Sequence, residues 1–227
     1  MKLCIIPARG GSKRVPGKNY KKFLGLPIIA YSIKTAIDSK LFDYVMVSTD
    51  DENIANISRK FGATVPFKRS LNNSNDYATT FDVINEVLRE YEKLNLKFDI
   101  ICCLYPCAPF VTKDKLEESL KLMSLNGFDT VFPVVRYSNP IQRAFKLQNN
   151  KVEMIYPNFQ NFRSQDLEIS YFDAGQFYWA ITEKLLINKK LFTKNSGCII
   201  LDELNAHDID NEIDWKIAEL KYSLNKL

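Results

Sequence analysis

The feature that most constrains this chain is its amino terminus, where an apolar run, Lys2-Leu-Cys-Ile-Ile-Pro7, stops at a glycine-rich, strongly basic loop. A short run of aliphatic and β-branched residues ended in this way has the pattern of a strand buried on both faces, as in a parallel sheet. The period then changes. Ile28, Ile29, Tyr31, Ile33, Ala36 and Ile37 recur at helical spacing behind Pro27, a residue suited to a first helical turn.

The alternation persists. Tyr44–Ser48 predicts a strand, 51–61 a helix ended by Gly62, and 64–67 a short extended piece. A helix from about Thr79 to Leu94, a strand over 99–104, a helix from about Thr112 to Leu125 and a strand over 130–135 follow. Such alternation predicts an α/β fold with a doubly wound, mostly parallel sheet. Residues 136–175 break the rhythm with Pro140, Pro157 and scattered Asn and Gln, yet carry Ile141, Phe145, Ile155 and Tyr156; they read as an inserted arm. Strands resume at 176–182 and 198–201. In the last helix Ile213, Ile217, Leu220 and Leu224 form one apolar stripe of the kind that faces a core.

At 227 residues, one domain spanning 1–227 is expected. Average hydrophobic and charged content, 46% and 26%, with 8 Gly and 9 Pro, excludes collagen-like, low-complexity and disordered readings. The net charge of +4 is too mild to imply nucleic acid or a membrane surface. Its distribution is informative, because residues 1–40 hold nine basic side chains and one acidic. The longest uncharged apolar stretch, Ile100 to Val111, falls short of the roughly twenty residues of a membrane span. The run before Pro7 and Arg9 is too short for a signal peptide. Five cysteines, Cys4, Cys102, Cys103, Cys107 and Cys198, read as buried free thiols of a cytoplasmic protein.

Three constellations stand out. The first runs from Pro7 to Asn19. Gly10 and Gly11 permit close approach of backbone N–H groups, Ser12 adds a hydroxyl, and Arg9, Lys13, Arg14 and Lys18 add four cations. A polyphosphate suits that loop. It is neither an ATPase P-loop, since five residues separate Gly11 from Gly17 and Asn19 replaces the hydroxyl, nor a dinucleotide fingerprint. The plainer alternative is a solvated basic loop.

The second constellation spans 201–214, with six carboxylates and no Lys or Arg. Asp208 and Asp210, two apart in an extended segment, point the same way and can share one hard cation, for which Mg²⁺ fits. The alternative is an acidic helix N-terminus capped by Asp210 or Asn211. His207, the single histidine, reads as structural, Glu86, Glu90 and Glu92 as a solvated helix face, and Cys102 and Cys103 as core. In the third, Arg163 offers a fork for a carboxylate, while Gln165, Asp173 and Gln176 offer partners for hydroxyl or amide groups. A polar, acidic small molecule suits that set; an arm whose aromatics merely pack is the alternative.

Taken in order, Pro7-Ala-Arg-Gly-Gly-Ser-Lys-Arg…Gly-Lys-Asn19, Ser48-Thr-Asp-Asp51, Arg69…Ser74-Asn-Asp-Tyr-Ala-Thr79, Leu104…Pro106…Pro109, Arg163-Ser-Gln-Asp-Leu167 and Asp208-Ile-Asp-Asn-Glu-Ile-Asp214 resemble the CMP-N-acylneuraminate synthetase family over nearly the whole chain. The run 163–168 followed by 173–179 is most similar to its pseudaminic acid branch.

The resemblance implies a Rossmann-like fold of the nucleotide-diphospho-sugar transferase type. It also implies a homodimer whose 136–175 arm reaches the partner, and transfer of CMP from CTP to the anomeric hydroxyl of a nonulosonic acid with release of pyrophosphate. Carried over by position, Ala8, Arg9, Gly10, Gly11, Ser12, Lys13 and Lys18 would line the triphosphate, and Asn19, Arg69 and Ser74 the cytidine. Asp208 and Asp210 would hold Mg²⁺, with Arg9, Lys18 and Asp210 catalytic, and Arg163 would face the sugar carboxylate. Sialic acid members usually carry Leu-Gln-Pro-Thr-Ser-Pro where this chain has Leu104-Tyr-Pro-Cys-Ala-Pro109, and an Arg-Pro-Asn-Gly-Ala run where it has Phe172-Asp-Ala-Gly-Gln. Both changes lie on the sugar side and imply a 9-deoxy acceptor, pseudaminic acid, met by Tyr105 and Phe177. N-acetylneuraminate and legionaminate are the alternatives within the class; a non-catalytic nucleotide-binding module is the alternative outside it.

Overall fold

A computed structural model describes residues 1–225; the last two residues of the expected 1–227 domain lie outside it. β1 (Lys2–Pro7) leads through the basic loop to a two-residue hairpin, β2 (Lys22–Phe23) and β3 (Leu26–Pro27). Next come α1 (Ile28–Ser39), β4 (Tyr44–Ser48), α2 (Glu52–Lys60), α3 (Thr80–Lys93), β5 (Ile100–Leu104), α4 (Lys113–Asn126) and β6 (Thr130–Arg136). The arm follows, holding β7 (Phe145–Gln148) and β8 (Lys151–Met154) as a hairpin, and β9 (Tyr171–Asp173) returns the chain to the body. β10 (Phe177–Ile181), α5 (Thr182–Asn188), β11 (Ser196–Leu201) and α6 (Glu212–Leu224) complete it.

The central sheet runs β11-β6-β10-β5-β1-β4, with β9 on β6. β4, β1 and β5 are parallel to one another, as are β6 and β11, whereas β10 is antiparallel to both its neighbours and β9 antiparallel to β6. The sheet is therefore mixed at one side, because α5 and the arm return the chain along routes that no βαβ crossover prescribes. The expected extended piece at 64–67 contributes only a bridge from Thr64 to Met46.

Two cores cover the sheet. Cys4, Ile6, Cys102, Leu104 and Trp179 pack with residues of α1, α2 and α4; Leu3, Ile5, Ile101 and Cys103 pack on the other face with Ile84, Val87 and Tyr91 of α3 and Leu185 of α5. Strands buried on both sides explain the uninterrupted apolar run at the amino terminus. Of the five free thiols Cys198 is exposed and Cys107 half-buried, contrary to the expectation that all are buried. β11 is an edge strand whose side chains alternate between core and solvent.

A third cluster decides where the site forms. Val15 of the basic loop, Phe23 of β2, Ile28, Phe110, Ile209 and Trp215 are buried together. Phe23 meets the edges of Tyr31 and Trp215 at centroid distances of 5.5 and 5.7 Å. α6 is thereby docked by Trp215 and Ala218, and the stripe expected to face the core points outward: Ile213, Ile217, Leu220 and Leu224 are 69%, 37%, 67% and 57% exposed. One aromatic wedge between neighbouring rings outweighs a longer aliphatic row with nothing opposite it.

Candidate active site

From β1 the chain moves through α1 to β4 on one side, then through α2 and α3 to β5 on the other. The carboxyl ends of β1 and β5 thus meet at a switch point, where open α/β sheets bind ligands. A cleft of about 680 Å³ lies there, between the basic loop, the 69–80 segment, the turn at Tyr105–Cys107 and the carboxylates Asp208 and Asp210.

The basic loop is braced from below. Ala8 donates its N–H to Ser48 O at 2.9 Å, and Gly10 donates to Asp50 Oδ1 at 2.9 Å. A Cβ on Gly10 would sit 2.8 Å from Asp51 Oδ2, and Gly17 holds φ at +65°, so both positions need glycine. Asn19 is buried, donates Nδ2 to Arg9 O at 2.8 Å, and accepts the Cys107 thiol at 3.3 Å. Burial pushes that thiol up to about 12, which removes it as a nucleophile.

The cations of the loop already meet anions. Arg9 and Lys13 grip the two oxygens of Asp76, each at 2.6 Å, and hold its carboxyl below the ordinary range through hydrogen bonds from Lys13 and Arg9. Arg14 pairs with Asp210 at 2.8 Å, and Lys18 donates to Ile209 O at 2.6 Å. Ser12 lines the same cleft. The amino-terminal and carboxy-terminal segments that sequence alone separated are therefore one surface.

Asp208 opens onto the cleft, yet enclosure by its walls and the charge of Asp210 raise its carboxyl above the ordinary range. Two carboxylates crowded in this way suit a divalent cation, and Mg²⁺ is commonly held by one or two carboxylates together with substrate phosphates. Among the described residues no group of three or more His, Cys, Asp or Glu forms a self-sufficient cage. Asp210 and Asn211 bear on the helix-cap alternative, because the cap of α6 is Asn211, which accepts from Ile213 and Asp214 N–H. Asp210 is left free of that duty.

Arg69 is buried and donates Nε to Ser48 Oγ at 2.9 Å and Nη2 to Ser48 O; burial lowers its guanidinium to about 10. It reaches the cleft, whereas Ser74 does not line it and donates its hydroxyl to Ser70 O at 2.8 Å. Tyr105 lines the cleft, its hydroxyl 3.1 Å from Thr80 Oγ1.

The remaining expected sugar contacts are dispersed within the chain. Gln176 is buried and donates to Asn205 O at 2.7 Å; Asp173 accepts the hydroxyl of Tyr178 and the N–H of Gly175. Phe177 is fully buried in the core, which removes it as a sugar contact. Arg163 lies on the arm, paired with Asp166 at 2.7 Å, and neither it nor Gln165 lines the cleft of its own chain.

Other residues escaped notice. Asp50, Asp76 and Thr80 shape the cleft; the signal of the two aspartates was present in the runs 48–51 and 74–79, whereas Thr80 lies one residue past the second run. Glu86, read as solvated, accepts hydrogen bonds from Ser70 and Asn73. A helical wheel could not reveal that.

With this geometry in view, a family model described as cytidylyltransferase matches residues 3–215. The chain belongs to the cytidylyltransferase family. It is 41% identical over 224 residues to "Pseudaminic acid cytidylyltransferase" of Campylobacter jejuni subsp. jejuni serotype O:2, covering 98% of this chain and 97% of that protein. It is 36% identical to "CMP-N,N'-diacetyllegionaminic acid synthase" of the same organism, covering 99% and 96%. A solved CMP:2-keto-3-deoxy-manno-octonic acid synthetase complexed with CTP shares the fold, with TM-score 0.73 and 18% identity over 100% of this chain and 99% of that one. This cytidylyltransferase is thus a CTP-dependent nucleotidyltransferase with the expected α/β sheet. Among its described residues no helix is long and apolar enough to cross a membrane.

Proposed function

We propose that this cytidylyltransferase joins CMP from CTP to the anomeric hydroxyl of pseudaminic acid. The observation that carries the reading is that Arg9, Ser12, Lys13 and Lys18 share one cleft with Asp208 and Asp210. Arg9, Lys13 and Lys18 bind the triphosphate, and Lys18 neutralises charge as it develops on the α-phosphate and the departing pyrophosphate. Nucleotidyl transfer is mostly positioning and charge neutralisation, which a braced basic loop supplies. Mg²⁺, held by Asp208 and Asp210, supplies further charge neutralisation when bound. Arg69 and the polar wall at Asn73–Thr80 sit on the cytidine side, and Tyr105 offers its ring to the apolar end of a deoxy sugar.

The reading includes a homodimer. The arm leaves Phe145, Leu147, Val152 and Ile155 48–71% exposed, apolar surface of the kind a second subunit covers. Arg163 and Gln165 then meet the acceptor in the cleft of the partner. The reading also places the protein in the cytoplasm, where CTP is available.

Incubating the protein with CTP, Mg²⁺ and each sugar in turn, and measuring pyrophosphate, tests the assignment. Turnover is expected with pseudaminic acid. Fast turnover with N-acetylneuraminate or legionaminate beside none with pseudaminic acid would reject the acceptor, equal rates with UTP or ATP would reject the cytidine side, and binding without turnover on any sugar would leave a nucleotide-binding module. Sedimentation giving a monomer at micromolar concentration would reject the dimer.

A further inference from the structure

The wall of the cleft formed by residues 70–79 has no apolar anchor: Leu71 is 84% and Tyr77 93% exposed. Its position rests on polar bonds. At one end Arg69 is tied to Ser48 and Thr49, and at the other Thr79 caps α3 in a box with Asp82. Between them the loop is bonded mostly to itself, Ser74 to Ser70 and Asn75 to Asn72, Tyr77 and Ala78. Asp76 ties the second half to Arg9 and Lys13 of the basic loop. The first half is held to α3 by a long bond from Asn73 Nδ2 to Asp82 O at 3.4 Å and, more closely, by Glu86, which lies outside the cleft. Its carboxylate accepts Ser70 N at 2.7 Å, Ser70 Oγ at 2.9 Å and Asn73 Nδ2. Partial enclosure would raise that carboxyl, but the bonds from Ser70 and Asn73 outweigh it and leave it lowered.

We infer that Glu86 is a positioning residue for the nucleotide, clamping Ser70 and Asn73 so that Arg69 and Asn73 face the cleft in one fixed arrangement. A carboxylate that accepts three hydrogen bonds can define a loop that has no packed side chains, and pre-ordering a loop lowers the entropic cost of binding. The inference rests on the CTP reading and concerns the nucleotide alone, since the acceptor side is built from other segments.

The test measures KM for CTP, KM for the acceptor, kcat and thermal midpoint in Glu86→Ala and Glu86→Gln. The alanine variant is expected to raise KM for CTP about tenfold, with kcat and acceptor KM within about twofold of wild type. Glu86→Gln keeps one oxygen for Ser70 and should fall between, which also covers the case in which the alanine variant fails to fold. A CTP KM unmoved in the variants overturns the inference, as does a loss confined to kcat and thermal midpoint. Wild-type protein that neither binds nor uses CTP overturns the functional reading and this inference with it; active wild type with unmoved variants overturns this inference alone.

Discussion

Lys18 Nζ lies 2.6 Å from the carbonyl oxygen of Ile209, a bond that joins the basic loop at one end of the chain to the acidic segment at the other. It sits above the cluster in which Val15, Ile209 and Trp215 are buried together. Arg14 with Asp210 and Lys21 with Glu212 flank it, at 2.8 and 2.6 Å. The tie places a cation against the carboxylate pair without consuming either carboxylate.

Replacing Lys18 by Met keeps the stem and removes the charge. We expect kcat to fall by about a hundredfold or more, the usual cost of one preorganised group at a centre of developing charge. Steady-state rates with saturating CTP check this, and a fall below about threefold would place Lys18 outside the chemistry.

Asp210→Asn retains shape and the α6 cap, since Asn211 performs the capping. Turnover with Mg²⁺ should drop at least roughly a hundredfold while CTP binding is largely kept. Near wild-type activity would reduce Asp210 to a partner of Arg14.

Asp76 occupies Arg9 and Lys13, two cations assigned to the triphosphate. An incoming phosphate must displace that carboxylate, so Asp76→Asn should tighten metal-free CTP binding by roughly threefold, a modest gain because the pairs are solvent-exposed. Calorimetry decides the sign; weaker binding would show that Asp76 orients the two cations instead.

Trp215 wedges α6 against Phe23, with the Lys21 ammonium 4.6 Å from its ring centre. Trp215→Ala should cost about 3–5 kcal/mol of stability. It should also raise the Mg²⁺ concentration for half-maximal rate, because the acidic segment loses its anchor. Denaturant unfolding and metal titration read the two effects, and Trp215→Phe should soften both.

Burial, and then the nearby Lys221, lowers His207 below its ordinary 6.5, and its buried Nε2 has no hydrogen-bond partner among the described residues. The unfolded chain therefore takes up this proton at a higher pH than the folded one. Stability from this group is complete above about 6.5 and is lost as pH falls through the lowered value. Thermal midpoints between pH 7 and 5 should flatten in His207→Asn; an unchanged slope would assign the loss to other groups.

The amino-terminal strand, its glycine-rich loop and most helices were legible because each depends on local period and turn chemistry, which spacing records directly. Gly10 and Gly17 carry their conformational purpose in the sequence. Glu86 does not, since a carboxylate on a helix has the same local pattern whether it meets water or a partner. The stripe Ile213, Ile217, Leu220 and Leu224 shows the same limit: spacing defined a face, and packing chose the other one.

By itself, then, the sequence determined the α/β alternation, the glycine-rich basic loop and the acidic pair, all of which are set within a few neighbouring residues. Only the tertiary structure decided that Lys18 meets Ile209, that Ser48 braces Arg69 at the cleft, that Phe177 is core, and that Arg163 stands away from the cleft of its own chain. Those outcomes depend on which buried side chains fill the same space, a many-body packing condition between segments up to 191 positions apart.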